Sequence, residues 1–156
     1  MHPVEKFSTF ADLQEQFIER AHRMVWCSLT TLDRRGRPRS RVVHTIWDGP
    51  VGWIGTLGNT PKVRQLQANP YVSLAYIADV MAPVYADCIA TWVDDRAECA
   101  RIWNLFKNTP EPLGYDPATA FQGMDNTDFG LIRLAPYRVE VANWPHGIRV
   151  WQRPDG

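Results

Sequence analysis

Apolar residues recur along this chain with two periods. Phe10, Leu13, Phe17 and Ala21 are spaced by three and four, so they fall on one face of an amphipathic helix that ends near Arg23, with Thr9 and Asp12 as a capping pair at its start. Such a helix is a lid for a core built elsewhere. The period then drops to two. Residues 24–32 (MVWCSLTTL) and 39–47 (RSRVVHTIW) read as strands with apolar and β-branched residues on both faces, joined by a turn at 33–38. Asp48, Gly49 and Pro50 return the chain as a neighbouring antiparallel strand. Further strands are predicted at 71–77, at 84–93 after a break at Pro83, and at 129–134 and 137–141, ahead of Trp144 and a polar tail. Asp95 and Glu98 make a capping-box-like start for a helix through Ala97, Ile102 and Phe106. Residues 108–128 have little periodicity and read as a long loop with one helical turn; a loop of that length is expected to cover a site.

The segment around which the rest is organised is 51–70, VGWIGTLGNTPKVRQLQANP. It begins as a strand in which Gly52 and Gly55 let something approach the backbone closely. It breaks at Gly58 and Asn59, and Thr60 and Pro61 then open a helix as N-cap and first helical residue. A helix start presents free amides, and with the Lys62 ammonium and a hydroxyl such as Thr56 beside it the arrangement suits a phosphate. On the strand before it, a period of two puts Arg37, Arg39 and Arg41 on one side. Arginines at a hairpin tip are ordinarily solvated, and Arg34, Arg35 and Arg37 are read so. Arg41 lies deeper, beside Val42 and Val43, where a guanidinium needs an anionic partner or a route to water. The hairpin brings it towards the Lys62 corner.

Together these elements predict a mainly β protein with flanking helices, a small barrel of six or seven antiparallel strands whose outer face is buried against another copy. Seven tryptophans in 156 residues fit such a homodimer, because aromatic side chains are enriched at interfaces. The length and 45% hydrophobic content fit one domain spanning 1–156. A formal net charge of zero argues against nucleic acid or an anionic membrane as partner, including an arginine-based nucleic-acid surface at 34–41. No apolar run reaches membrane-spanning length and the start lacks a signal core, so a cytoplasmic protein is expected. Cys27, Cys88 and Cys99, like His2, His22, His44 and His146, are dispersed, which argues for packed thiols and against a metal site.

The order helix, strand pair, Arg-Val-Val strand, G-W-I-G-T and T-P-K-V-R-Q-L-Q-A-N-P-Y-V-S-L resembles the flavin-binding split-barrel family that contains pyridoxamine 5′-phosphate oxidase and the general-stress-protein-like flavoproteins. The resemblance covers roughly residues 10–144 and is most specific at Lys62 and Arg41. It implies a homodimer with two cofactor sites at the subunit interface and FMN as cofactor. Arg41 and Lys62 would hold its phosphate, Thr56 and Leu57 would stand beside them at the strand end, and Pro61 would set the helix start. Val42, Val43 and His44 would lie along the ring or ribityl chain, with His44 limited to a ring-edge hydrogen bond. The flavin would carry the chemistry, so no protein base is named. True vitamin B6 oxidases have a glutamine where this chain has Pro83, Val84 and Tyr85, and a C-terminal tryptophan followed by a substrate- or cofactor-binding arginine; by resemblance Trp144 is a candidate cofactor contact here, with Arg149 following at a shorter spacing. A more general flavin-dependent oxidoreductase acting on a small molecule is therefore favoured over vitamin B6 oxidation. A sister branch binds the deazaflavin coenzyme F-420, and the predominance of arginine, 14 of 17 basic residues, resembles high-GC bacteria where that coenzyme occurs. A different class, a flavin- or haem-binding stress or sensor protein without turnover, shares the same fold.

Overall fold

The computed structural model describes residues 2–155. In chain order they form β1 (Val4–Phe7), α1 (Ala11–Met24), β2 (Trp26–Leu32), β3 (Pro38–His44), β4 (Ile46–Asp48), β5 (Val51–Leu57), α2 (Pro61–Ala68), β6 (Tyr71–Tyr76), β7 (Val84–Val93), α3 (Arg96–Asn108), α4 (Ala118–Phe121), β8 (Phe129–Asn143) and β9 (Gly147–Gln152). The main path of the sheet runs β1-β9-β8-β7-β6-β2-β3, and β5 joins it through β8 with β4 on its other side. β8 is the spine. Its first half lies between β5 and β7, pairing Ile132 with Ile54 and with Trp92, and its second half lies between β7 and β9.

The expected barrel is present, with three differences in its strands. The polar tail is β9, which pairs in parallel with β1, and Trp151 stacks on Phe10 at 5.3 Å. The strand predicted at 39–47 is interrupted at Thr45, whose buried hydroxyl bonds the Tyr76 phenol, so β4 leaves in a new direction to pair with β5. The two strands predicted at 129–134 and 137–141 are one, because a bulge at Tyr137, between the pairs Cys88–Pro136 and Asp87–Arg138, takes up the extra residue without breaking the ladder.

Two cores result. Beneath α1, Leu13, Phe17 and Ala21 meet Leu29, Leu74 and Val139 inside the barrel. On the opposite face of β5 and β8, Trp53, Phe129 and Leu131 meet Ile102, Trp103 and Phe106 of α3. Four of the seven tryptophans are buried in these cores, while Trp26 stays largely exposed. Thr9 and Asp12 bond each other at 2.8 Å but leave the helix amides uncapped, with Phe10 as N-cap. Asp95 does cap α3, accepting from the Glu98 amide at 2.9 Å. Strand β2 begins at Trp26 and not Met24 because α1 continues through Met24 and closes on Val25 in the left-handed region at φ 67°.

His22 ties α1 to the barrel. The Trp47 backbone N–H donates to its Nε2 at 3.0 Å, which requires a neutral ring, and burial pushes its pKa below the ordinary 6.5. The unfolded chain therefore takes up the proton first as the pH falls. The stabilisation is full above the unfolded pKa and is lost as the pH drops through the lower native one. Thermal melts between about pH 7 and pH 5 should show the midpoint falling more steeply in the wild-type protein than in His22→Gln, whose amide oxygen can still accept. Equal slopes would place the acid sensitivity elsewhere.

Candidate functional site

The barrel is open on one side. β3 pairs only with β2, and β5 beyond Trp53 pairs only with β8, so each strand presents an unpaired edge to the gap between them. In that gap lies a cavity of about 580 Å³. Val42, Val43 and His44 line it from β3, and Ile54, Gly55 and Thr56 from β5. Lys62 closes one end.

Lys62 sits at the second position of α2, where Thr60 is the N-cap residue in backbone terms. The threonine hydroxyl does not cap the helix; it donates to the Leu57 carbonyl at 3.1 Å and leaves the first amides without a side-chain acceptor. The Lys62 ammonium has only a 3.5 Å contact with that hydroxyl. Arg41 reaches the same corner from β3. Its guanidinium donates to the Leu29 carbonyl at 3.2 Å, the Thr31 hydroxyl at 2.7 Å and the Gln65 amide oxygen at 3.2 Å, all of them neutral acceptors. Among the described residues neither cation has a carboxylate within ion-pair distance. Burial, then repulsion from Arg41, pushes the Lys62 pKa down, and burial lowers that of Arg41. Two partly buried cations that destabilise each other beside an uncapped helix start could receive an anion. A phosphate fits that donor set.

The contrast with the hairpin tip is clear. Arg37 and Arg39 both pair with Asp33, at 2.9 and 3.6 Å, so the predicted row of three guanidiniums is divided into a self-neutralised tip and one deep arginine.

The loop at 108–128 walls the cavity, with Glu111, Pro112, Tyr115 and Phe121 lining it. It is anchored at His44, whose Nε2 lies 2.6 Å from the Leu113 carbonyl. A carbonyl can only accept, so Nε2 carries the hydrogen and Nδ1 is the basic nitrogen. Burial lowers the His44 pKa, and the Leu113 bond opposes that shift. The two strand glycines make room for the protein's own rings. A Cβ at Gly52 would meet Trp47 at 3.0 Å, and one at Gly55 would meet Phe129 at 3.2 Å and the Tyr115 hydroxyl at 3.4 Å.

Of the residues picked out from sequence, Val42, Val43, His44, Thr56 and Lys62 line one cavity, while Arg41, Leu57 and Pro61 stand behind its Lys62 end. Trp144 lies away from this cavity, packed edge-on against His2 at 5.2 Å, and Arg149 pairs with Glu5 at 3.0 Å. Trp26, Gln65 and Tyr115 were not singled out. Only the length of the 108–128 loop signalled Tyr115, and Gln65 is marked by nothing but its place one turn after Lys62.

Among solved structures, an F-420 reductase aligns at 23% identity and TM-score 0.60 over 80% of this chain and 94% of its own. A pyridoxamine 5′-phosphate oxidase-related, FMN-binding protein from Nostoc punctiforme aligns at 15% identity and TM-score 0.62, covering 83% and 82%. A haem storage protein from Vibrio cholerae aligns at 21% and 0.61, covering 80% and 89%. At these identities the likeness establishes the fold. No curated protein matches the chain. The sequence profile described as pyridoxamine 5′-phosphate oxidase matches residues 11–143, and with the split barrel and its Lys62 corner in place, the chain belongs to the pyridoxamine 5′-phosphate oxidase family.

Proposed function

We propose that this protein is an oxidoreductase that binds a flavin-type cofactor, FMN or the deazaflavin coenzyme F-420, through its phosphate at Lys62 and Arg41. The observation that carries the reading is a pair of cations without carboxylate partners at the uncapped start of α2, opening onto a largely apolar cavity. The bound ring system would supply the electron-transfer chemistry. The protein binds and orients: Lys62, Arg41 and the α2 amides fix the phosphate, Val42 and Val43 offer an apolar wall, and the 108–128 loop keeps water from that side. The exposed Trp26 and Val42, at 54% and 69% accessibility, support a homodimer in which a second copy would cover them. Sedimentation gives the mass directly.

Titration of the cofactor-free protein with FMN and, separately, with coenzyme F-420, followed by fluorescence or heat, tests the reading. Tight binding of FMN alone marks an oxidase or flavin reductase. Preference for the deazaflavin marks a hydride-transfer reductase, and binding of neither refutes the cofactor assignment.

A further inference from the structure

Tyr115 is fixed from several sides. Its backbone N–H donates to the Phe106 carbonyl at 3.1 Å, and its ring lies 4.9 Å from Phe106 and 4.8 Å from His44. Two residues earlier, Leu113 is bonded to His44. The missing side chain of Gly55 gives the phenol its place at the cavity wall. Among the described residues the hydroxyl has no hydrogen-bond partner. The phenol oxygen is not sealed off from the cavity, so a ligand that covers it must supply an acceptor or leave the donor unpaired at a cost. Burial pushes the phenol up to about 12, so it remains a neutral donor throughout the neutral pH range.

The surroundings narrow what that acceptor belongs to. Trp26, Val42, Pro112 and Phe121 make the nearby wall apolar, and the one carboxylate there, Glu111, disfavours a further anion. We infer that the Tyr115 hydroxyl is the specificity-determining donor of this cavity and takes the carbonyl oxygen of an uncharged, largely apolar carbonyl compound. The inference rests on the reading of the cavity as a cofactor and substrate site. A preorganised donor loses little entropy on binding, and an analogue without the oxygen leaves it unpaired.

The test titrates the wild-type protein and Tyr115→Phe, with and without cofactor, with acetylnaphthalene and with isopropenylnaphthalene, in which a methylene replaces the carbonyl oxygen. The fluorescence of each probe reports binding. Tyr115→Phe should weaken acetylnaphthalene about tenfold and leave isopropenylnaphthalene and the cofactor unchanged. An equal loss for both probes would show a packing role, and a loss of cofactor affinity would assign the hydroxyl to the cofactor; either overturns the inference. So would unchanged binding of both probes, or a wild-type protein that does not bind acetylnaphthalene. If the protein takes up neither cofactor, the proposed function falls, and the same two probes in the cofactor-free cavity still decide the role of Tyr115.

Discussion

Lys62→Ala should weaken binding of the phosphate-bearing cofactor by about 1.5–3 kcal/mol, roughly ten- to hundredfold in dissociation constant. The effect should appear in binding and not in folding. In the free protein the ammonium has one long contact with Thr60 and is repelled by Arg41, so its removal costs the fold nothing it was using. Arg64→Ala is the control. Arg64 is on the same helix but exposed and outside the cavity lining, and its guanidinium donates to the Asn59 carbonyl at 2.6 Å, so its loss should barely change affinity. Lys62→Arg should recover part of the loss, since it keeps the charge while changing the donor geometry. The pH dependence has a definite sign. Burial and Arg41 lower the Lys62 pKa in the free protein and a bound phosphate raises it again, so binding takes up protons and affinity falls as the pH rises towards the lysine's range. An affinity indifferent to Lys62 and to alkaline pH would move the phosphate away from α2.

The legible parts of this protein are those where one local rule acts alone. Pro61 after a threonine marks a helix start whatever surrounds it, and Phe10, Leu13, Phe17 and Ala21 bury one face because nothing competes with the helical period. Arg41 is separated from Arg37 by its depth in the strand, and the structure makes that division through Asp33, which also takes Arg39, a residue the strand period alone leaves beside Arg41. What escaped depends on partners distant in sequence. Residues 147–152 look polar because their strand lies next to the edge strand β1, whose Glu5 takes the exposed Arg149. Thr45 ends β3 only because Tyr76 waits 31 residues later with a buried hydroxyl. Gly52 and Gly55 were read correctly as sites of close approach, yet no local pattern says that the approaching groups are Trp47, Phe129 and Tyr115. Leu57 and Pro61 have their position from the turn itself, whereas Trp144 rests on the resemblance alone and lies beside His2.

Gly114→Ala should be the most damaging single-methyl change in the molecule, costing about 3 kcal/mol of stability, the upper part of the range for overpacking. A Cβ at this position would stand 1.8 Å from the Thr109 carbonyl oxygen and 2.6 Å from that of Phe106. Both obstacles are backbone at the end of α3, so no side-chain rotation can relieve the clash. The loop must move instead. Moving it costs the Gly114 bond to the Pro110 carbonyl at 2.9 Å and the Tyr115 bond to Phe106, and it pulls Leu113 away from His44. The loss therefore spreads from one glycine to the whole wall of the cavity, while the barrel under α1 shares none of these contacts. Urea unfolding should give a lower midpoint, and limited proteolysis of the folded protein should cut within 108–128 where the wild-type chain resists. Gly36→Ala serves as the comparison. Gly36 also lies in a turn, at φ 71°, but a Cβ there meets nothing within 4 Å, so its cost is confined to backbone strain of about 1–2 kcal/mol with no effect on the cavity loop. If both variants lose the same stability and resist protease equally, the loop is not held by its close approach to α3, and the anchoring of the cavity wall must be sought at His44 alone.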